Sequence, residues 1–297
     1  MVASPDAVAL REGVGAFELP RDFVRAVGPD TVSFLQGQLS QDVAAVDVGS
    51  SAFSLLLQPQ GKMEALLRLT RVAEDDIVLD TDAGWGEAVL ERLERFMLRT
   101  RCKLQLIDWR CVAVRGPASA ELAEPPPGTL RVPPETPGVP GFDLLGPRPE
   151  VPEGVPVVAS EAYEALRIEA GVPRMGAELD ASTIPATAGI VERTVSFTKG
   201  CYTGQELVAR IDSRGSKVPR QLRGVVVGTN VLPPAGAAVV VDGKEAGTLT
   251  SVGESLVRRA PVALAYVRRD VDPPVEAVLR WDGGEAPARV ETLPLVP

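Results

Sequence analysis

The sequence predicts an α+β chain: two mixed helix-and-strand portions followed by a small, closed β-barrel. Three observations lead there. The chain has 297 residues, more than one ordinary hydrophobic core serves. Hydrophobic residues make up 45% of it, which places it among folded globular chains. After about Pro219 its character changes to short apolar runs separated by glycine and proline, the pattern of a small barrel.

In the first portion, residues 14–19 (VGAFEL) read as a short strand stopped by Pro20, which has no N–H for a ladder. PDTVSFLQGQLSQDV predicts a helix capped near Asp30, with Val32, Leu35 and Leu39 on one stripe. SAFSLLLQ, KMEALLRLT and IVLDT, separated by the turns PQG and AEDD, predict a three-stranded meander. GWGEAVLERLERFMLRT returns to helical period. There Trp85, Val89, Leu93 and Phe96 share a face, and Arg99 and Arg101 suit the negative end of the dipole. CKLQLI and RCVAVRG follow as strands.

From Glu124 to Pro156 the chain is rich in proline and glycine and predicts an exposed connector with short strands at most. SEAYEALRIEAGVP restarts helical order: Ser160 suits the cap, and Gly171 then Pro173 end it. In the barrel region, Asp242-Gly243 is a strong hairpin signal. The expected divisions are residues 1–123, the connector 124–156, a second portion 157–218 and the barrel 219–297.

Composition removes whole classes of chemistry. Histidine is absent, so Ser-His-Asp and Cys-His catalysis and every histidine-containing metal site are excluded. Three cysteines (Cys102, Cys111, Cys201) form no CxxC pair and fall one short of the usual four iron–sulfur ligands. No stably bound metal is expected, and the cysteine pattern favours a reducing, cytoplasmic setting. A net charge of -9 opposes direct, tight nucleic-acid binding. No apolar run reaches the roughly 18 residues of a membrane span, and the N-terminus lacks the basic-then-apolar pattern of a secretory signal.

One stretch concentrates the remaining chemistry: SFTKGCYTGQELVAR, Ser196 to Arg210. Thr203 to Glu206 has the T-x-x-E capping-box pattern, so a helix is expected to start just after Thr203. Cys201 would then precede a helix N-terminus, and Lys199 would add a positive charge. Both favour a thiolate and would pull its pKa below the free value of about 8.5. The plainer alternative is a small, buried, inert side chain, which is the reading for Cys102 and Cys111. Downstream, Arg210, Arg214, Lys217, Arg220 and Arg223 face a single Asp212. They suit either a polyanionic tail or plain solvation. Glu169 and Glu178, in RIEAGVPRMGAELD, have the chemistry to accept paired hydrogen bonds from an amino-pyrimidine-like ring, though spacing alone does not single them out.

KGCYTGQE resembles the signature of the YgfZ family, GcvT-like relatives of the glycine-cleavage T-protein. FLQGQLSQDV, QGKMEALLRL, RIEAGVPRMGAELD and GTLTSVG…VALAYVRR agree with that family along nearly the whole chain. The resemblance implies a T-protein-like fold around a central folate-binding hole and a tetrahydrofolate ligand. It further implies a role in assembling or repairing iron–sulfur proteins, including iron–sulfur enzymes that modify tRNA, with those proteins as partners. By motif position it makes Cys201 the functional cysteine, with Lys199 beside it. It implies Tyr202, Gln205, Glu206 and Arg210 as cofactor-binding residues, with Glu178 on the pterin and Glu169 in its neighbourhood. One departure stands out. Where T-proteins carry an aspartate-bearing acidic turn, this chain reads GKMEALL, with Glu64 but no aspartate. That speaks against a working aminomethyltransferase, the rival reading. A protein that only stores or senses folate is the third.

Overall fold

Residues 4–215 and 217–296 are described by the structure, a computed structural model. The chain opens with α1 (Pro5–Glu12), β1 (Gly15–Leu19) and β2 (Arg21–Val27). Then come α2 (Thr31–Gln38), the meander β3 (Ser51–Leu57), β4 (Met63–Ala73) and β5 (Asp76–Asp82), α3 (Gly86–Glu94) and β6 (Lys103–Ile107). An antiparallel sheet of order β3-β4-β5-β2-β6 results. The segment RDFVRAV, unassigned in the sequence reading, is therefore an interior strand; its arginines and aspartate interrupt the apolar alternation that would announce it.

Alternation along β4 decides the layers. Ala65, Leu67 and Leu69 meet Leu35 and Leu39 from the α2 region and Val89 and Leu93 of α3. Leu66 belongs to a different core, with Met175, Leu179, Ile190 and Val208 from the second portion. Truncating one such buried leucine to alanine costs about 2–5 kcal/mol. Helix α3 ends at Glu94, earlier than its apolar period suggests. Phe96 lies beyond it, 39% exposed, with the Arg92 guanidinium 3.9 Å from its ring centre. Arg101 lies past the end of α3 and pairs with Asp30, the residue before α2, at 2.8 Å.

The proline-rich stretch is more integrated than an exposed connector. After β7 (Arg110–Arg115) it supplies β8 (Leu130–Val132) and β9 (Gly141–Gly146), completing a sheet of order β1-β7-β9-β8. Most of β9 is buried, including Asp143, whose partners lie far off in the sequence. Then come α4 (Ser160–Ala170), closed by left-handed Gly171 as expected, α5 (Val191–Thr194) and α6 (Gln205–Ser213).

The barrel closes as β10-β13-β12-β11-β14-β15, because β10 (Arg220–Val227) pairs with both β13 (Ala260–Arg268) and β15 (Gly284–Glu291). The others are β11 (Ala238–Val241), β12 (Lys244–Ser255) and β14 (Val275–Trp281). Asp242 and Gly243, both at positive φ, make the β11–β12 turn. Helix α4 lies on β12 at Gly253, where an added Cβ would sit 3.2 Å from Ala165 Cα. That close approach brings α4 side chains within reach of the barrel. Among the described residues no helix is long and apolar enough to cross a membrane.

Candidate functional site

Cys201 is exposed, while Cys102 and Cys111 are buried. Its loop is held from both sides. The Ser196 N–H donates to Ser40 O at 3.0 Å and the Thr203 N–H to Gly37 O at 3.2 Å. The expected capping box does not form. Helix α6 has Gly204 as its N-cap, with φ 82° and no side-chain cap bond, so the helix begins one residue later. The reason is steric: a Cβ on residue 204 would lie 2.5 Å from Gln58 O and 2.8 Å from Leu57 Cβ, so the chain turns through a glycine against β3. Gln205 Oε1 instead accepts the Tyr202 N–H at 3.2 Å.

Lys199 is held by backbone carbonyls. Its ammonium donates to Gln36 O, Leu39 O and Gln41 O at 2.6, 2.7 and 2.9 Å. All three of its protons are thus committed to backbone at and beyond the end of α2, not to the thiol. Burial lowers its pKa to about 8, against the opposing field of Asp42. The Tyr202 ring centre lies 5.1 Å from the ammonium, and burial raises that phenol to about 12. Glu206 and Arg210 are exposed and pair with each other one helical turn apart. Arg214, Lys217 and Arg220 are exposed, and Arg220 sits opposite Arg268 on β13.

Glu178 and Glu169 lie elsewhere, buried where the second portion meets the barrel. Glu178 accepts from Arg167 Nη1 at 3.1 Å, the Arg174 N–H at 3.2 Å and Ser251 Oγ at 2.6 Å. Three of a carboxylate's roughly four acceptor positions are therefore taken. Glu169 accepts from Arg11 and Ser255. The structure thus groups the sequence candidates into two sets: the loop residues, and a pair of carboxylates that bind the portions together.

Sequence reasoning missed a third group between the two sheets. Arg68 donates two bonds to Asp80, at 3.0 and 3.1 Å, and one to Asp143 at 2.6 Å. Arg115 pairs with the other Asp143 oxygen at 2.6 Å. Despite full burial, Arg115 and Arg68 hold the Asp143 carboxyl below its usual range. Arg21 joins Asp80, Asp82 and Glu135, at 2.9, 3.2 and 3.1 Å. Asp82 and Glu135 stay partly open, at 18% and 13% side-chain exposure. Burial pushes the Asp82 carboxyl up, against the pull of Arg21. The available signal was a charge inside an apolar strand, as in ALLRLT and IVLDT.

Two family models match the chain: the GCVT N-terminal domain over residues 2–127 and the glycine cleavage T-protein C-terminal barrel domain over residues 220–296. A Pectobacterium atrosepticum protein named tRNA-modifying protein YgfZ is 28% identical, over 86% of this chain and 80% of that protein. An aminomethyltransferase of Streptomyces avermitilis is 27% identical, over 97% of this chain and 87% of that protein. The solved structure of glycine cleavage system aminomethyltransferase T from Bartonella henselae superposes with a TM-score of 0.82 at 26% identity, covering 98% of this chain and 88% of that one.

Proposed function

Because this chain belongs to the GcvT-like family, the folate-binding relatives of the glycine-cleavage T-protein, we propose that it supports assembly or repair of iron–sulfur proteins through Cys201. The observation that carries the proposal is one exposed thiol, within KGCYTGQE, on a loop tied at both ends to the first portion. Such a thiol suits transient sulfur or cluster chemistry with a partner protein and needs neither histidine nor a resident metal. Iron–sulfur enzymes that modify tRNA are natural clients, in keeping with the name of the Pectobacterium relative. The setting is the cytoplasm, where thiols stay reduced.

Tetrahydrofolate or a derivative is the proposed ligand. Glu178 keeps about one acceptor position, but its carboxylate is sealed from solvent, so a pterin N–H reaches it only by displacing a group that now covers it. Asp82 and Glu135 supply further partly open carboxylate oxygens. Tyr202, Gln205, Glu206 and Arg210 follow the thiol in sequence, and the arginines after it suit an anionic tail. Glu169 acts through α4, as a support.

Two experiments test this. Replacing Cys201 by Ala should lower iron–sulfur enzyme activity in cells while the fold persists; unchanged activity overturns the role of the thiol. Calorimetric titration with tetrahydrofolate should show binding that Glu178→Gln weakens; no binding by the native protein overturns the ligand.

A second reading is transfer of an aminomethyl or methyl group to tetrahydrofolate. The match to aminomethyltransferases over almost the full chain favours it. Against it stands Glu64 on β4, a half-buried carboxylate where the family's aspartate is missing. A transfer assay with tetrahydrofolate should show no turnover.

A further inference from the structure

An α-helix leaves its last carbonyls without intrahelical partners. At the end of α2 and in the bend after it, three carbonyls point at one ammonium, that of Lys199, from 2.6 to 2.9 Å. An ammonium has three donors, so the match is complete. The neighbouring bonds from the Ser196 and Thr203 amides reach Ser40 and Gly37, within the same short run. That run is itself anchored, because Phe34, Leu35 and Leu39 are buried in the first core. Asp42 is the carboxylate whose field reaches the ammonium, and Gln36 Nε2 holds it at 2.9 Å. Tyr202 covers the lysine on the loop side.

We infer that Lys199 is a positioning residue: it fastens the segment 196–203 to the end of α2 and thereby sets where the Cys201 sulfur stands relative to the five-stranded sheet. The lysine of the motif thus works through backbone carbonyls, and it shapes the thiol's location. The functional bearing of this tie rests on the role proposed for Cys201; the tie itself does not.

The test uses the full chain in three forms: native, Lys199→Met and Lys199→Arg. Backbone hydrogen exchange is followed by mass spectrometry, and a thiol-reactive fluorophore on Cys201 reports loop motion through its anisotropy. In Lys199→Met, exchange across 196–204 and 36–41 should rise about tenfold or more, and anisotropy should fall, with the barrel unchanged. Lys199→Arg keeps charge and donors, and should restore most of the protection. Native-like exchange in Lys199→Met, or a Lys199→Arg protein no better protected, overturns the inference. If Lys199→Met does not fold, Lys199→Gln replaces it and is held to the same outcomes. A silent Cys201→Ala in cells would remove the proposed function and leave this result standing.

Discussion

Ser251, on barrel strand β12, donates a 2.6 Å hydrogen bond to Glu178, which also receives Arg167. Arg167 in turn donates to the same serine oxygen at 2.7 Å. This closed triangle, buried throughout, ties α4, the turn after it and the barrel together. Arg167 also pairs with Glu164 at 2.7 Å, so the guanidinium is well matched where it stands.

Removing Glu178 should therefore act on stability before it acts on any ligand. Glu178→Ala strands a buried guanidinium and a buried hydroxyl, and should cost about 3–5 kcal/mol, toward the lower end because Glu164 remains. Glu178→Gln keeps one acceptor and should cost less. Urea denaturation of both variants checks this, and it separates folding loss from ligand loss in the titration above.

Two glycines of the motif should respond unequally to alanine. At Gly204 the left-handed φ and the 2.5 Å approach to Gln58 O make Ala cost more than about 2 kcal/mol. At Gly200 φ is not positive and no atom lies within 4 Å of a new Cβ. Gly200→Ala should stay within about 0.5 kcal/mol of the native protein. Thermal melts of the two variants decide.

The three thiols should be distinguishable by alkylation. Cys111 is 1% exposed, and burial pushes its thiol well up; Cys102 is 8% exposed. Iodoacetamide should modify Cys201 alone in the native protein and all three in denaturant, as read by peptide mass spectrometry. Labelling of Cys111 in the native state would mean that this thiol is not buried.

Lys199 should leave a signature at alkaline pH. Its folded pKa of about 8 lies below the ordinary value of about 10.4. Between those values the unfolded chain binds more protons than the folded one, so this group's contribution to stability rises with pH. The difference in unfolding free energy, native minus Lys199→Met, should be flat below pH 7 and climb from about pH 8 to pH 10. A flat difference across that window would mean that the three carbonyl bonds offset the desolvation of the ammonium.

Much of the architecture could be read locally. The meander of β3, β4 and β5, the α4 stop at Gly171 and the turn at Asp242-Gly243 each depend on residues a few positions apart. Strand β2 escaped because Arg21, Asp22 and Arg25 mask its period. β8 and β9 escaped because the surrounding prolines mimic an exposed linker.

The motif was legible in the same way, as a type of residue at a given spacing, and so was the absence of histidine. By itself the sequence determined the strand and helix periods, the barrel's punctuation and the presence of a single thiol in a family signature. Only tertiary structure decided what Lys199 holds, because its acceptors lie 158 to 163 positions away. For Arg68 the near partner Asp80 faces it on the adjacent strand β5, but Asp143 comes from β9 of the other sheet, which only tertiary structure brings there. A charge declares its residue type in the chain, but its partner is chosen by burial, where an unpaired ion costs too much to persist and distant segments must supply the counter-charge.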